Sequence, residues 1–278
     1  VAMRTAVLIQ GEPRFCAEFD HFIEKLEGCD NVDWFFYLWK TSPPTSNILG
    51  SVGHELVAPN WQNIDINWAA NKLKENLPAG HRIVALVLDD QSLIQNPEIT
   101  TNHAKETIQS NVWKMWYSQY QVNQLKIKYE QTHNFTYDLV IRSRPDVALV
   151  NPINLRAVKY HINQKNNLVI IPHNKLCGYG RAVISDLFGM SNSENMNVYT
   201  DVYNHALDHH AQGVIFHPET ILAYHLISNK LDYQSGNFNI EFRWLGKWRN
   251  IETGEEYTSQ TVPTWDGHVY TSEFGRWK

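Results

Sequence analysis

Apolar residues fall along the chain in short runs separated by polar, turn-rich segments. Ala6, Val7, Leu8 and Ile9 stand in succession within Arg4 to Gln10, the pattern of a buried strand, and Gly11, Glu12, Pro13 and Arg14 follow as a turn. Phe15, Phe19, Phe22, Ile23 and Leu26 then recur at helical spacing, with Gly28 placed where a left-handed cap ends a helix. Val32 to Trp39 (VDWFFYLW) is a second apolar strand and Arg82 to Leu88 (RIVALVL) a third, which ends at Asp89 and Asp90. From Ala104 to about Glu130, the residues Ile108, Val112, Met115, Trp116, Tyr120, Leu125 and Tyr129 keep the period of a long helix. A fourth strand, Tyr137 to about Ser143, follows it.

Short buried strands alternating with helices predict an α/β fold: a Rossmann-like, mostly parallel sheet with helices on both faces. Beyond Pro152 the order is less regular. An amphipathic segment covers Leu155 to Ile162, a strand Leu168 to Pro172, and a loop with Gly178 and Gly180 precedes a strand over Ile184 to Met190. Ser191 with Glu194 three residues on reads as a capping box opening a helix to about His209, and Pro218 with Glu219 opens another through Leu231. The expected division is a main unit over residues 1–233 and a C-terminal extension over 234–278 packed on it.

Composition narrows the field. Among 278 residues, 24 Lys and Arg against 29 Asp and Glu leave a net charge of −5, which argues against capture of nucleic acid or anionic membrane by the whole surface. With 43% hydrophobic and 19% charged residues the chain can bury a core. No apolar run approaches the roughly 18 residues of a membrane span. The N-terminus enters a strand pattern directly, without the basic and apolar regions of a secretory signal, so the expected location is cytoplasmic. Cys16, Cys29 and Cys177 are widely spaced with no CxxC pair, as for free thiols in a reducing compartment. The 10 Trp, 13 Tyr and 11 Phe suit either a ring-rich core or stacking on bases and sugars.

The most informative segment is YDLVIRSRPDVALV, Tyr137 to Val150. Strand alternation puts Val140, Arg142, Arg144 and Asp146 on one side and Leu139, Ile141 and Ser143 on the other. Pro145 cannot donate to a sheet ladder, so the strand is expected to end here with the charged trio at its C-terminal edge, where open α/β sheets bind ligands. A structural salt-bridge network is the plainer reading of the trio. Two guanidinium groups side by side repel, however, and a phosphate would relieve them, because the planar Arg fork matches phosphate oxygens. The chain lacks a GxxxxGK[ST] loop, a GxSxG elbow and a GxGxxG fingerprint, which disfavours P-loop enzymes, α/β-hydrolases and ordinary dinucleotide enzymes.

Five blocks together resemble a family of GT-A-type glycosyltransferases found in bacterial and viral surface-glycan loci: AVLIQGEPR (Ala6 to Arg14), VDWFFYLW (Val32 to Trp39), YDLVIRSRPD (Tyr137 to Asp146), ISDLFGMSNSENMNVY (Ile184 to Tyr199) and HPETILAYHL (His217 to Leu226). The resemblance implies a nucleotide-sugar donor and a glycan or other hydroxyl acceptor. It places Gly11 and Arg14 against the nucleotide and diphosphate, Arg142 and Arg144 on the diphosphate, and Asp146 where the family carries its metal-binding Asp-x-Asp motif. Arg144 stands where the first Asp of that motif would be. Either Asp146 alone holds Mn²⁺ or Mg²⁺, or the arginines replace the metal as counter-charge. Trp39 is a candidate for base stacking, against a place in the core. Asp186 and Glu219 are the candidate carboxylates for accepting the acceptor's proton, although a Glu in a first helical turn also meets the helix dipole favourably. His209 with His210, and His217 with Glu219, lack the paired spacing of a zinc-protease helix and read as surface or capping groups. The alternative function is a non-catalytic carbohydrate-binding protein using its surplus of aromatic rings.

Overall fold

The computed structural model describes residues 3–13, 19–28, 31–40, 54–59, 66–99, 106–179, 182–242, 246–250 and 256–259. Strand β1 (Thr5–Gly11) leads to helix α1 (Phe19–Glu24), a short β2 (Leu26–Glu27) and β3 (Val32–Trp39). Then come β4 (His54–Pro59), α2 (Ile66–Asn76), β5 (His81–Asp89), the long α3 (Glu106–His133) and β6 (Leu139–Ser143). The second half runs β7 (Val147–Leu149), β8 (Ile153–Asn154), α4 (Leu155–Gln164), β9 (Leu168–Ile171), β10 (Cys177–Tyr179), β11 (Ala182–Ile184) and β12 (Gly189–Ser191). Helices α5 (Ser193–Thr200), α6 (Val202–Ala211) and α7 (Pro218–Ser228) follow, then β13 (Asp232–Ser235), β14 (Ile240–Phe242), β15 (Gly246–Asn250) and β16 (Glu256–Ser259).

Seven strands form the central sheet in the order β13-β9-β12-β6-β1-β3-β5. The block β6-β1-β3-β5 is parallel, whereas β12 runs antiparallel to both β6 and β9, so the sheet is mixed. Ala6, Val7, Leu8 and Ile9 are all 0% exposed because both faces are covered, which is why β1 is an unbroken apolar run. One face carries Phe22, Ile23, Leu73, Leu155 and Ile162 from α1, α2 and α4. The other carries Trp116, Met196, Ala206 and Ile221 from α3, α5, α6 and α7. Among the described side chains, Trp34, Trp39, Trp113 and Trp116 all lie in the core, so these rings pack the sheet and are not displayed for sugars.

The chain moves outward from β1 through β3 to β5, then returns to place β6 on the other side of β1. Such a reversal, at the C-terminal ends of β1 and β6, is the usual ligand position in open α/β sheets.

Several local expectations change. Ile184 to Met190 is not one strand: β11 ends at Ile184 and β12 begins at Gly189, and the intervening Ser185 to Phe188 turn carries Asp186. The helix after it is capped by Asn192, whose side chain accepts from the Asn195 amide, while the Ser191 hydroxyl donates to the Leu168 carbonyl. It breaks at Asp201 into α5 and α6. The segment before β3 forms a six-residue α1 and then β2, so Gly28, at φ 81°, follows a strand and not a helix. The expected boundary at 233/234 falls inside β13, an edge strand of the main sheet, and β14 pairs with β7. Among the described residues no helix is long and apolar enough to cross a membrane.

A histidine pair joins α6 to α7. His225 Nε2 lies 2.9 Å from the Val198 carbonyl and must carry the proton there, so its Nδ1 accepts from His209 Nε2 at 3.0 Å. Both rings are neutral: burial, with the neighbouring His205, lowers the His209 pKa, and burial takes His225 down to about 4. An unfolded histidine titrates near 6.5, so the stability these rings contribute is complete above that pH and is lost as pH falls from about 6.5 to about 4, on the order of 3 kcal/mol for His225. Urea denaturation at pH 7.5 and 4.5 is expected to show this loss in the wild type and a smaller one in His225→Gln, whose amide offers a donor and an acceptor without titrating. Equal losses in the two proteins would remove the histidine pair as the cause.

Candidate functional site

The site is built where β1 and β6 end. Gly11 closes β1 at φ 113°, a conformation that favours glycine, and turns the chain towards Glu12. Arg14 lies outside the described residues. Alternation along β6 holds as expected: Leu139 and Ile141 enter one core cluster and Val140 the other. Arg142 follows Val140 to its face and ends up 0% exposed.

The Arg142 guanidinium donates through Nη1 to the Asp186 backbone carbonyl, while its Nε and Nη2 make no hydrogen bond. The buried Tyr199 hydroxyl lies beside it. Gly189, opposite Arg142 in the β6–β12 register, makes room for this: a Cβ there would meet the Tyr199 ring at 3.2 Å. Burial lowers the Arg142 pKa, opposed by Tyr199 and Asp186.

Arg144 lies just past the strand and is the accessible member of the pair, with 21% of its side chain exposed. It forms a two-pronged bridge with Asp146, Nε to Oδ1 at 2.9 Å and Nη2 to Oδ2 at 2.7 Å. Burial opposes its charge, but Asp146, Asp186 and Glu12 raise its pKa overall. Asp186 is 4% exposed, and burial raises its pKa against the pull of Arg142 and Arg144.

Asp146, expected as the metal ligand unless the arginines replace the ion, is bridged by Arg144 in this geometry. Mg²⁺ and Mn²⁺ need several hard oxygen ligands, and both Asp146 oxygens are held by the Arg144 fork on a side chain only 2% exposed. These residues do not fit such an ion. Of the two places open to Trp39, stacking on a base or the core, the structure gives the core. Trp39 is 3% exposed, stacked on Tyr117 at 6.2 Å and met edge-on by Tyr37 at 5.8 Å. Tyr37 in turn donates to Asp89, and Asp90 caps the following 3-10 turn, accepting from the Ser92 amide, so both rim aspartates have structural duties.

Glu219 belongs to a second constellation. Gly178, at φ 144°, lets the β10–β11 hairpin fold so tightly that a Cβ there would lie 1.9 Å from the Ala182 carbonyl oxygen. The Tyr179 amide donates to Thr220 Oγ1 at 3.1 Å, which ties the hairpin to the first turn of α7. Cys177 Sγ therefore sits 3.9 Å from His217 Nε2, and His217 Nδ1 sits 3.2 Å from Glu219 Oε2. Burial pushes the Cys177 thiol up to about 11 and His217 down to about 4. Burial, with Asp186 nearby, raises Glu219 well above its ordinary value. Cys177 was not among the expected site residues, since 40 residues separate it from His217 and no short motif joins them.

A cavity at the opposite, N-terminal edge of the sheet is lined by Arg4, Asp33, Arg82, Tyr129, Phe135 and Tyr137. There Arg82 is already forked onto Asp33 at 2.5 and 3.0 Å and Arg4 lies over the Phe135 ring at 4.6 Å, so its charges serve the fold.

No protein-family model matches the sequence, and no curated protein matches it.

Proposed function

We propose that the chain is a GT-A-type glycosyltransferase that moves a sugar from a nucleoside diphosphate donor to a hydroxyl of a glycan or other acceptor. The observation that carries this reading is the position of Arg142 and Arg144 at the switch point between β1 and β6, with Arg144 reaching the rim and the fully buried Arg142 charge behind it, beside Tyr199 and Asp186. The positive field of the two guanidinium groups at that place suits a diphosphate and stabilises the charge it gains as it leaves.

Asp186 stands in the field of both arginines and is the proton acceptor in this reading. The acceptor oxygen attacks the anomeric carbon, the bond from that carbon to the phosphate oxygen breaks, and the nucleoside diphosphate departs with the electron pair. The acceptor's proton passes to the Asp186 carboxylate, whose burial makes it a stronger base than an exposed aspartate. Gly11 supplies the close backbone approach beside the diphosphate, and Arg14, outside the described residues, is the further candidate for holding it.

Calorimetric titration with a panel of nucleoside diphosphates, with and without Mn²⁺, tests the donor site. At least one nucleotide is expected to bind the wild type, with little effect of Mn²⁺, and Arg144→Ala is expected to bind it about 10- to 100-fold more weakly, the worth of a charged hydrogen bond. Mass analysis of the product then separates sugar addition from phosphate addition. Failure of every nucleotide to bind, or equal binding by wild type and Arg144→Ala, would overturn the reading.

A further inference from the structure

We propose that Cys177, His217 and Glu219 form a Zn²⁺ site, with Cys177 Sγ, one imidazole nitrogen and a Glu219 oxygen as ligands and a fourth position open to water or a substrate oxygen. Donor atoms from the three side chains all lie within 4.8 Å of one another. Bonds of about 2.0 to 2.3 Å at tetrahedral angles set zinc ligands about 3.3 to 3.6 Å apart. The observed 3.9 Å from Cys177 Sγ to His217 Nε2 and 3.2 Å from His217 Nδ1 to Glu219 Oε2 bracket that range. Each separation uses a different ring nitrogen, so binding requires a small rotation of the imidazole to bring one nitrogen onto the ion.

The donor set selects the metal. A thiolate, an imidazole and one carboxylate suit Zn²⁺ and fail the all-oxygen preference of Mg²⁺ and Mn²⁺. Glu219 is itself 8% exposed and its Oε2 accepts no hydrogen bond, although it is directed at the imidazole. A buried carboxylate oxygen in that condition needs a cation or donor to offset its lost solvation. The scaffold is also firm: the Gly178 hairpin and the Tyr179 amide to Thr220 bond hold Cys177 over the start of α7 without help from an ion. His217, with 25% of its side chain exposed, leaves a path for the metal. Three protein ligands and an open fourth position are the arrangement of zinc sites that act on a bound molecule, as opposed to closed structural ones.

The ligands of this site adjoin Asp186 but include none of Arg142, Arg144 and Asp186, and the readout is metal binding and not transfer, so the two readings fail separately. The test is titration of the chelator-treated full chain with Co²⁺, followed by displacement with Zn²⁺. One equivalent of Co²⁺ is expected to give tetrahedral d–d absorption and a thiolate-to-cobalt charge-transfer band, and Zn²⁺ is expected to erase both. Cys177→Ser is expected to lose the charge-transfer band, and the Cys16→Ser/Cys29→Ser double variant to keep it. His217→Gln and Glu219→Gln should each weaken Zn²⁺ binding at least about tenfold, the lower bound of what loss of even an outer partner costs. Absence of a thiolate band in the wild type, its survival in Cys177→Ser, its loss in the double variant, or Zn²⁺ affinity unchanged in both Gln variants would overturn the proposal. Circular dichroism of each variant accompanies the titration. Should Cys177→Ser fail to fold, the two Gln variants with the double variant decide the matter.

Discussion

Asp186→Asn is expected to lower the turnover of sugar transfer by about 10²- to 10⁴-fold, the usual contribution of a positioned proton acceptor, and to leave the donor Kd unchanged. The separation is possible because Arg142 binds the Asp186 backbone carbonyl and not its carboxylate, so the amide preserves the anchor of the guanidinium. Stability should move the other way. Burial raises the Asp186 pKa, so the folded state holds a proton that the unfolded chain releases at lower pH, and stability is lost as pH rises from about 4 through the folded value. A neutral amide removes that loss, and Asp186→Asn should be at least as stable as the wild type at pH 7.5. A variant that is inactive and also fails to bind donor, or one that keeps full turnover, would show that Asp186 is not the proton acceptor. Steady-state kinetics with donor titration and thermal melting read the three quantities separately.

The strands of the parallel block were legible because cover on both faces, full over most of β1, β3 and β6 and partial for the edge strand β5, writes itself as an unbroken apolar run. Val32 to Trp39 appears in the structure with the same bounds, and the other three differ by one residue at both ends or two at one end. The antiparallel β12 was not legible, since its three residues Gly189 to Ser191 carry no period of their own and are placed by pairing with β6 and β9. At the site, alternation was enough to put Arg142 on the face of Val140, but not to show that Arg142 is fully buried there and that only Arg144 reaches the rim. It could not show that Arg144 turns its whole fork onto Asp146, because that choice depends on how far the chain bends after Pro145. The same limit hid Cys177. His217 and Glu219 are two residues apart and visible as a pair, whereas the thiol arrives through a hairpin whose closeness rests on Gly178 and on a bond to Thr220. Trp39 shows another case: its place at a strand end left both base stacking and the core open, and the ring of Tyr117 on α3 decides for burial.

Lys126 is the residue whose sequence context misleads most, and its partner gives the largest expected loss of stability. On a helix pattern it would be assigned to solvent, yet it is 0% exposed. Its ammonium donates to Glu130 Oε2 at 2.9 Å, to the Ser193 hydroxyl and to Asn197 Oδ1 at 3.0 Å. Glu130 Oε1 accepts from the Tyr137 amide at 2.8 Å and from Ser193 Oγ at 2.7 Å, so this ion pair joins α3 to the start of α5 and to the entry of β6. Burial lowers the Lys126 pKa and the Glu130 charge opposes that, so the carboxylate is what makes a charged amine tolerable here. Glu130→Ala, which strands the ammonium and the Tyr137 amide together, is expected to cost about 3 to 5 kcal/mol by guanidinium denaturation. The double variant Lys126→Met/Glu130→Gln removes both charges and keeps an acceptor for Tyr137. It is expected to recover most of that loss, because replacing a buried pair together is often neutral or stabilising, whereas breaking it is not. If Glu130→Ala costs under about 1 kcal/mol, or the double variant is no more stable than Glu130→Ala, then the pair does not hold α3 against the sheet and packing of Trp116 and Val122 does so alone.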